Sequence, residues 1–264
     1  MPDFIFDLPL HVTSLLVVAI FCAFSLLGLE VVRRVVLPRL RVTGDDSEFT
    51  GAMVQAIMVF YGLAVALIAV SVWETHSQVA DNVSLEASRV AEAYRDVSSY
   101  PEPLRTELRE ELHSYLGNVI DEEWPALRKG EHPAGGVVWM DRFQESMNRF
   151  EPSSDRESIL HAEALHAFNA LIEARRLRLD ALLTELSVAL WIVIGAGGLI
   201  SLSSTFFFKV ADVRLHRIQV LLLAVFIGMV ISLILAFDRP FRGDLGVDPG
   251  PYQLIREQLM GDRS

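Results

Sequence analysis

Residues 52–73 read AMVQAIMVFYGLAVALIAVSVW, without a charged side chain, and Glu74 follows at once. A helix rises 1.5 Å per residue, so about 20 apolar residues cross a hydrocarbon core of roughly 30 Å. A run this long and this apolar sets the fold class, because it has the length and composition of a membrane span.

Reading outward from it, the character of the chain reverses. Glu74 to Thr184 holds 21 acidic and 12 basic residues, a net −9 out of the chain's −11. Such a segment must lie in water. Three more apolar runs flank this pair of regions, at about 12–32, 186–208 and 218–237. The chain is therefore expected to be an all-α integral membrane protein, with four transmembrane helices and a helical extramembrane domain between spans two and three. Its parts are a first helix pair at 1–73, with spans at about 12–32 and 52–73, an acidic helical domain at 74–184, a second pair at 185–237, and an interfacial C-terminal tail at 238–264. Apolar residues make up 52% of the chain, yet the charges are crowded between the apolar runs, as in a polytopic membrane protein. Residues 1–11 carry Asp3 and Asp7 but no base, unlike a secretory signal, so the first run reads as a retained helix. Cys22 is the single cysteine, which rules out an intramolecular disulfide. The acidic balance argues against nucleic acid as a partner.

Helical spacing does not stop at Trp73. Val79, Val83, Glu86-Ala87, Val90, Tyr94 and Val97 recur every three or four residues until Tyr100-Pro101, so span two is expected to continue out of the membrane. A second soluble helix carries Leu104, Leu108, Leu112, Tyr115, Leu116 and Val119 on one stripe and ends near Glu123-Trp124-Pro125. A loop with Gly130, Pro133, Gly135 and Gly136 leads to a short helix over Trp139–Phe150. Ser154-Asp155-Arg156-Glu157 is a capping box, in which serine and glutamate each satisfy a backbone donor of the other. It opens a helix expected to run unbroken from about Ser154 to about Phe208. Pro38, Gly44 and Asp45-Asp46 mark one short loop. Lys209, Asp212, Arg214, His216 and Arg217 form the other. With Arg33, Arg34, Arg39 and Arg41, these loops carry the positive charge that faces the cytoplasm in an inner membrane, which places the acidic domain outside. Arg175, Arg176, Arg178, Arg239 and Arg242 on the other side narrow that margin.

Several motifs in order resemble one family. They are Glu86-Ala87, Tyr94-Arg95, Tyr115, Glu123-Trp124-Pro125, Arg175-Arg176-x-Arg178 running into Trp191, and Asp238-Arg239-Pro240-Phe241-x-Gly243. Together they look like the bestrophin-like domain family of bacterial membrane proteins. The resemblance implies a four-span helical subunit and, through bestrophins, a pentameric anion channel whose hydrophobic neck is lined by span two. Bestrophins also carry a dense acidic calcium-binding cluster after span four, whereas Asp238, Asp244 and Asp248 here are spread out.

Enzyme chemistry finds little support in the sequence. His161, Glu163 and His166 do not share a helix face, since residues five apart point about 140° from each other. No metal site, cofactor or catalytic residue is assigned, and the chain is not read as an enzyme. The spans hold no Asp, Glu, Lys, Arg or His at mid-membrane depth, which leaves proton relays, voltage sensing and charge-coupled transport without residues to act. A pore lined by small or weakly polar groups stays open, because hydrophobic constrictions gate by dewetting. Gln55, Val59, Gly62 and Ala66 form such a stripe on span two, read as opposite the bulkier Ile57, Phe60 and Leu67. Small residues also let helices approach closely in lipid, the reading that suits Gly195 and Gly198. At the membrane exit, Pro240 ends the helix, Phe241 sits at the interface, and Asp238 and Arg239 pair with each other or with headgroups. Arg175, Arg176 and Arg178 anchor on phosphates or pair with acids such as Glu86, and Trp124 is buried at a helix end. Two functions follow: a homo-oligomeric anion channel that moves a small ion, or a non-conducting scaffold or sensor whose acidic domain binds a partner or cation.

Overall fold

The computed structural model describes residues 8–39, 44–133, 135–208, 210 and 212–260, and among them all regular structure is helical. Among the described residues, four helices are long and apolar enough to cross a membrane. The chain divides into two compact units: residues 1–74 with 185–238, and residues 75–184 with 239–264. Asp3, Asp7, Arg41 and Lys209 lie outside the described residues.

The first unit contains α1 (Leu10–Val31), the leading half of α2 (Gly44–Asp96), α7 (Val188–Thr205) and α8 (Val213–Phe237). Helix α1 does not stop at its expected end. It continues as a π-helical stretch, Val32–Val36, that carries Arg33 and Arg34. Nor is the loop before α2 as long as expected, since the helix already begins at Gly44. Likewise Arg214, His216 and Arg217 are in the first turns of α8 rather than in a loop, because the Asp212 carboxylate accepts the Arg214 and Leu215 amides and starts the helix there.

Small residues set the spacing of these helices. A Cβ on Gly228 of α8 would come 2.9 Å from the Val18 Cα of α1. The Ser25 hydroxyl donates to the Val220 carbonyl across the same pair. Helix α2 meets α7 through Tyr61, whose hydroxyl donates to the Ile194 carbonyl at 3.1 Å and whose ring lies over Gly197 and Gly198. Gly198 is thus a packing residue, whereas a Cβ on Gly195 would meet nothing within 4 Å.

The helix expected from Ser154 to Phe208 is broken. Helix α6 (Asp155–Asp180) closes with a 3-10 turn, Ala181–Leu183, and Thr184 is extended. Ser187 then caps α7 by accepting the Leu190 amide. Asp238, arriving from the end of α8, accepts the Leu186 amide at 2.7 Å. That carboxylate satisfies a donor left over by the break, a long-range contact that hydropathy cannot register.

The second unit contains the trailing half of α2, α3 (Leu104–Asn118), α4 (Trp124–Arg128), α5 (Gly136–Asn148), α6 and α9 (Gly250–Met260). The expected stripes form its core: Val79, Val83, Val90 and Val97 from α2, and Leu108, Leu112, Leu116 and Val119 from the α3 segment. The second soluble helix does not end at Glu123-Trp124-Pro125. A π-helical turn, Val119–Glu123, links α3 to α4, with the Trp124 amide donating to the Val119 carbonyl. The wider turn shifts the hydrogen-bond register just where Pro125 has no N–H to offer. In the capping box, Ser154 accepts the Glu157 amide as expected, but the Glu157 carboxylate takes the Ser153 amide instead of that of Ser154.

The C-terminal segment, expected as an interfacial tail, packs into this unit. Phe241 and Tyr252 are buried in its core, each at 5.7 Å from the Trp124 ring. Gly243, at φ 74°, makes the turn that lets the chain fold back, closed by the Val247 amide on the Pro240 carbonyl.

Candidate functional site

Four charged side chains meet in the core of the second unit. Glu86 lies in the apolar stripe of α2, so regular helical spacing carries it inward with Val83 and Val90. Arg175 and Arg178, three apart on α6, come to one face as i, i+3 neighbours. Glu123 closes the π-helical turn. Burial is nearly complete: Glu86 and Arg178 are 0% exposed, Glu123 1% and Arg175 5%.

Every carboxylate oxygen in the group is satisfied. Arg175 grips Glu123 through two parallel bonds, Nη1 to Oε2 at 2.8 Å and Nη2 to Oε1 at 2.7 Å. Arg178 bridges the two acids, donating from Nε to Glu86 Oε2 at 2.6 Å and from Nη2 to Glu123 Oε2 at 2.7 Å. The Tyr115 hydroxyl donates to Glu86 Oε1, and the Gly136 amide donates to Glu123 Oε1 at 3.0 Å. The Arg178 guanidinium also lies 6.0 Å from the Trp124 ring centre and 5.9 Å from that of Tyr252, within reach of a cation–π attraction. Two acids and two bases leave the cluster neutral.

The electrostatics follow from this pairing. Burial alone would raise the Glu123 carboxyl, but the Arg175 hydrogen bonds and the Arg178 charge outweigh it and hold the group below the usual range. Burial would likewise lower Arg175, and its bonds to Glu123 reverse that and push it up. Burial, reinforced by the Glu86 charge, drives the Tyr115 phenol far up, so it stays a donor. A neutral and enclosed set of this kind, with both carboxylates fully bonded and only Arg178 Nη1 left without a hydrogen-bond partner, fixes the relative positions of α2, the α3 segment and α6. It offers no unpaired charge to a substrate.

The motif residues thus separate into two groups. Glu86, Tyr115, Glu123, Trp124, Arg175 and Arg178 converge; the sequence offered Glu86 as one partner for the Arg175, Arg176 and Arg178 run, with lipid phosphate as the alternative, and the structure joins it to Arg178. Arg95, Pro125 and Arg176 are exposed and stand outside the network. Tyr94 lies instead beneath the Arg109 guanidinium, 5.0 Å from its ring centre. Asp238 accepts the Leu186 amide after the break, Phe241 is buried in the core of the second unit, and Gly243 makes the turn. Pro240 is also buried. Reading the sequence missed Gly136 and Tyr252. The only signals for them were a glycine-rich loop and one aromatic in a short amphipathic piece.

On α2 in the first unit, Gln55, Val59, Gly62 and Ala66 are all exposed. The buried face is Val54, Val65 and Val72, with Tyr61 partly buried beside them. Phe60 and Leu67 are exposed as well, at 73% and 64%. The small-residue stripe therefore shares its outward arc with two of the bulky residues placed opposite it. The reason is that the inward arc of α2 is formed by Val54, Val65 and Val72, with Tyr61, Ile68 and Ala69 packed beside them. Among the described residues no group of three or more metal-ligating side chains comes together, and His161 bonds instead to the Tyr100 hydroxyl at 2.6 Å.

Neither a curated protein nor a solved structure matches the chain significantly. The bestrophin-like domain profile matches residues 19–252, a range that takes in the latter part of the first span, the other three spans, the whole acidic segment and Tyr252 of the C-terminal helix, and the chain belongs to the bestrophin-like domain family.

Proposed function

We propose that this chain is one subunit of a homo-oligomeric ion channel for anions, with the Gln55, Val59, Gly62 and Ala66 face of α2 toward the axis. The observation that carries the reading is that this face is uncovered in the subunit while the Val54–Val72 face of the same helix is buried. Family membership supports it, and a neck of small and weakly polar side chains suits gating by dewetting. Four helices of one subunit are too few to enclose such a pore, so the reading requires association, five copies by analogy with bestrophins.

The test is the protein mass of the purified complex in nanodiscs, followed by anion flux in liposomes. A multimer whose flux falls in Gly62→Leu and changes selectivity in Gln55→Ala supports the proposal. A monomer, or flux indifferent to both changes, refutes it. The surplus acid of the 74–184 segment favours a second reading, a non-conducting scaffold that binds a partner or cation, and a multimer without flux would bring it forward.

A further inference from the structure

At one end of the first unit, α1 and α8 carry four arginines, two of which meet on one acid. Arg33 and Arg34 are on the π-helical end of α1, and Arg214 and Arg217 are on the first turns of α8. Glu30 ties the two helices here. Its Oε1 accepts Arg34 Nε at 2.5 Å and its Oε2 accepts Arg217 Nη2 at 2.8 Å. One carboxylate thus holds two guanidiniums side by side, and both stay open to the surroundings, with the Arg34 side chain 75% exposed and that of Arg217 47%. Arg33 and Arg214 form no ion pair among the described residues. The remaining acid nearby, Asp212, accepts the Arg214 and Leu215 amides as the cap of α8.

Below the arginines run exposed apolar side chains in register. Arg34 stands three and seven residues beyond Val31 and Leu27, which are 57% and 68% exposed. Arg214 stands four and eight residues before Ile218 and Leu222, at 54% and 65%. Helical periodicity puts Arg214 at the head of its apolar lane, and Arg34, on the π-helical turn, stands just past the end of the other. This is the profile of a phospholipid, with a phosphate against guanidinium forks and an acyl chain along the lane beneath.

We propose that the α1–α8 end is a binding site for the headgroup of an anionic phospholipid, in which Arg33, Arg34, Arg214 and Arg217 hold the phosphate. The surplus of positive charge discriminates against zwitterionic headgroups, whose ammonium it repels. Free phosphate would satisfy the guanidiniums but leave the apolar lanes unused.

The experiment uses the full chain in nanodiscs of mixed phosphatidylglycerol and phosphatidylcholine, extracted gently, with retained lipid counted by native mass spectrometry. The informative variant is Arg33→Gln/Arg214→Gln, since neither side chain makes an ion pair that the fold needs. Each basic residue near a membrane surface is worth roughly fivefold in anionic-lipid binding, so the double variant should retain phosphatidylglycerol about tenfold or more weakly. Arg128→Gln/Arg156→Gln, on exposed positions of the other unit, should retain it as the unmodified chain does. Equal retention by the Arg33/Arg214 variant overturns the proposal, as does displacement of the lipid by inorganic phosphate alone, which would mark a free-phosphate site.

Discussion

Replacing Arg178 by glutamine removes the one side chain that touches both buried acids. The structure sets the size of the effect. Arg178 is fully buried, bonds Glu86 at 2.6 Å and Glu123 at 2.7 Å, and lies against two aromatic rings. Glu123 keeps its paired bonds from Arg175, so Glu86 becomes the uncompensated charge, left with the Tyr115 hydroxyl. Removing one partner of a buried ion pair costs about 3–5 kcal/mol. A second change, Glu86→Gln, returns the cluster to neutrality and should recover about 1–3 kcal/mol, the usual coupling of residues in one network. Hydrogen–deuterium exchange of the α6 and α3 amides in the full chain reports the opening free energy of this unit separately from the spans. The expected result is faster exchange throughout both helices in Arg178→Gln and partial recovery in the double variant. An opening free energy within about 1 kcal/mol of the unmodified protein, or a double variant worse than the single, would refute the account of Arg178 as the bridge.

Other outcomes follow from the same geometry. Gly136→Ala puts a Cβ 2.6 Å from Arg175 Cζ and closer still to Glu123 Oε1, so it should destabilise the second unit by about 1–3 kcal/mol, seen in the same exchange measurement. Gly228→Ala drives a methyl against the Val18 backbone and should lower the thermal midpoint of the nanodisc complex, whereas Gly195→Ala, with open space around it in the subunit, should not. For acid, the Glu123 carboxyl sits below the 4.5 of an ordinary glutamate, so the unfolded chain takes up that proton first. Its stabilisation is complete above about pH 4.5 and is lost as pH falls through the folded value. Exchange in α6 should accelerate over that interval, and Glu123→Gln should flatten the acceleration. An unchanged acid profile in that variant would locate the acid sensitivity elsewhere.

The four spans and the helical character of the acidic segment were legible because both rest on local pattern. Hydropathy over some twenty residues makes a span, and the recurrence of Val79, Val83 and Val90 makes a buried helix face, whatever the rest of the chain does. Glu86 was legible as a suspect for the same reason, an acid on a stripe of valines, and α6 supplied arginines as candidate partners. What the pattern could not choose was which arginine would meet which acid. The Arg178–Glu86 bond joins positions 92 residues apart and the Arg175–Glu123 pair joins positions 52 apart.

Tertiary structure alone decided the break before α7, where the Asp238 carboxylate takes the Leu186 amide from across the chain. A continuous apolar stripe carries no sign that a distant acid will satisfy the donor that a break exposes. The same holds for Phe241 and Tyr252. Their apolar rings next to a membrane exit read as interfacial, and only the presence of Trp124 between them places both in the core. Sequence by itself determined that this protein has four spans around a charged helical segment, because solvation acts on each stretch independently. Tertiary structure decided how the charges within that segment cancel, because cancellation depends on contacts between helices that the local pattern does not encode.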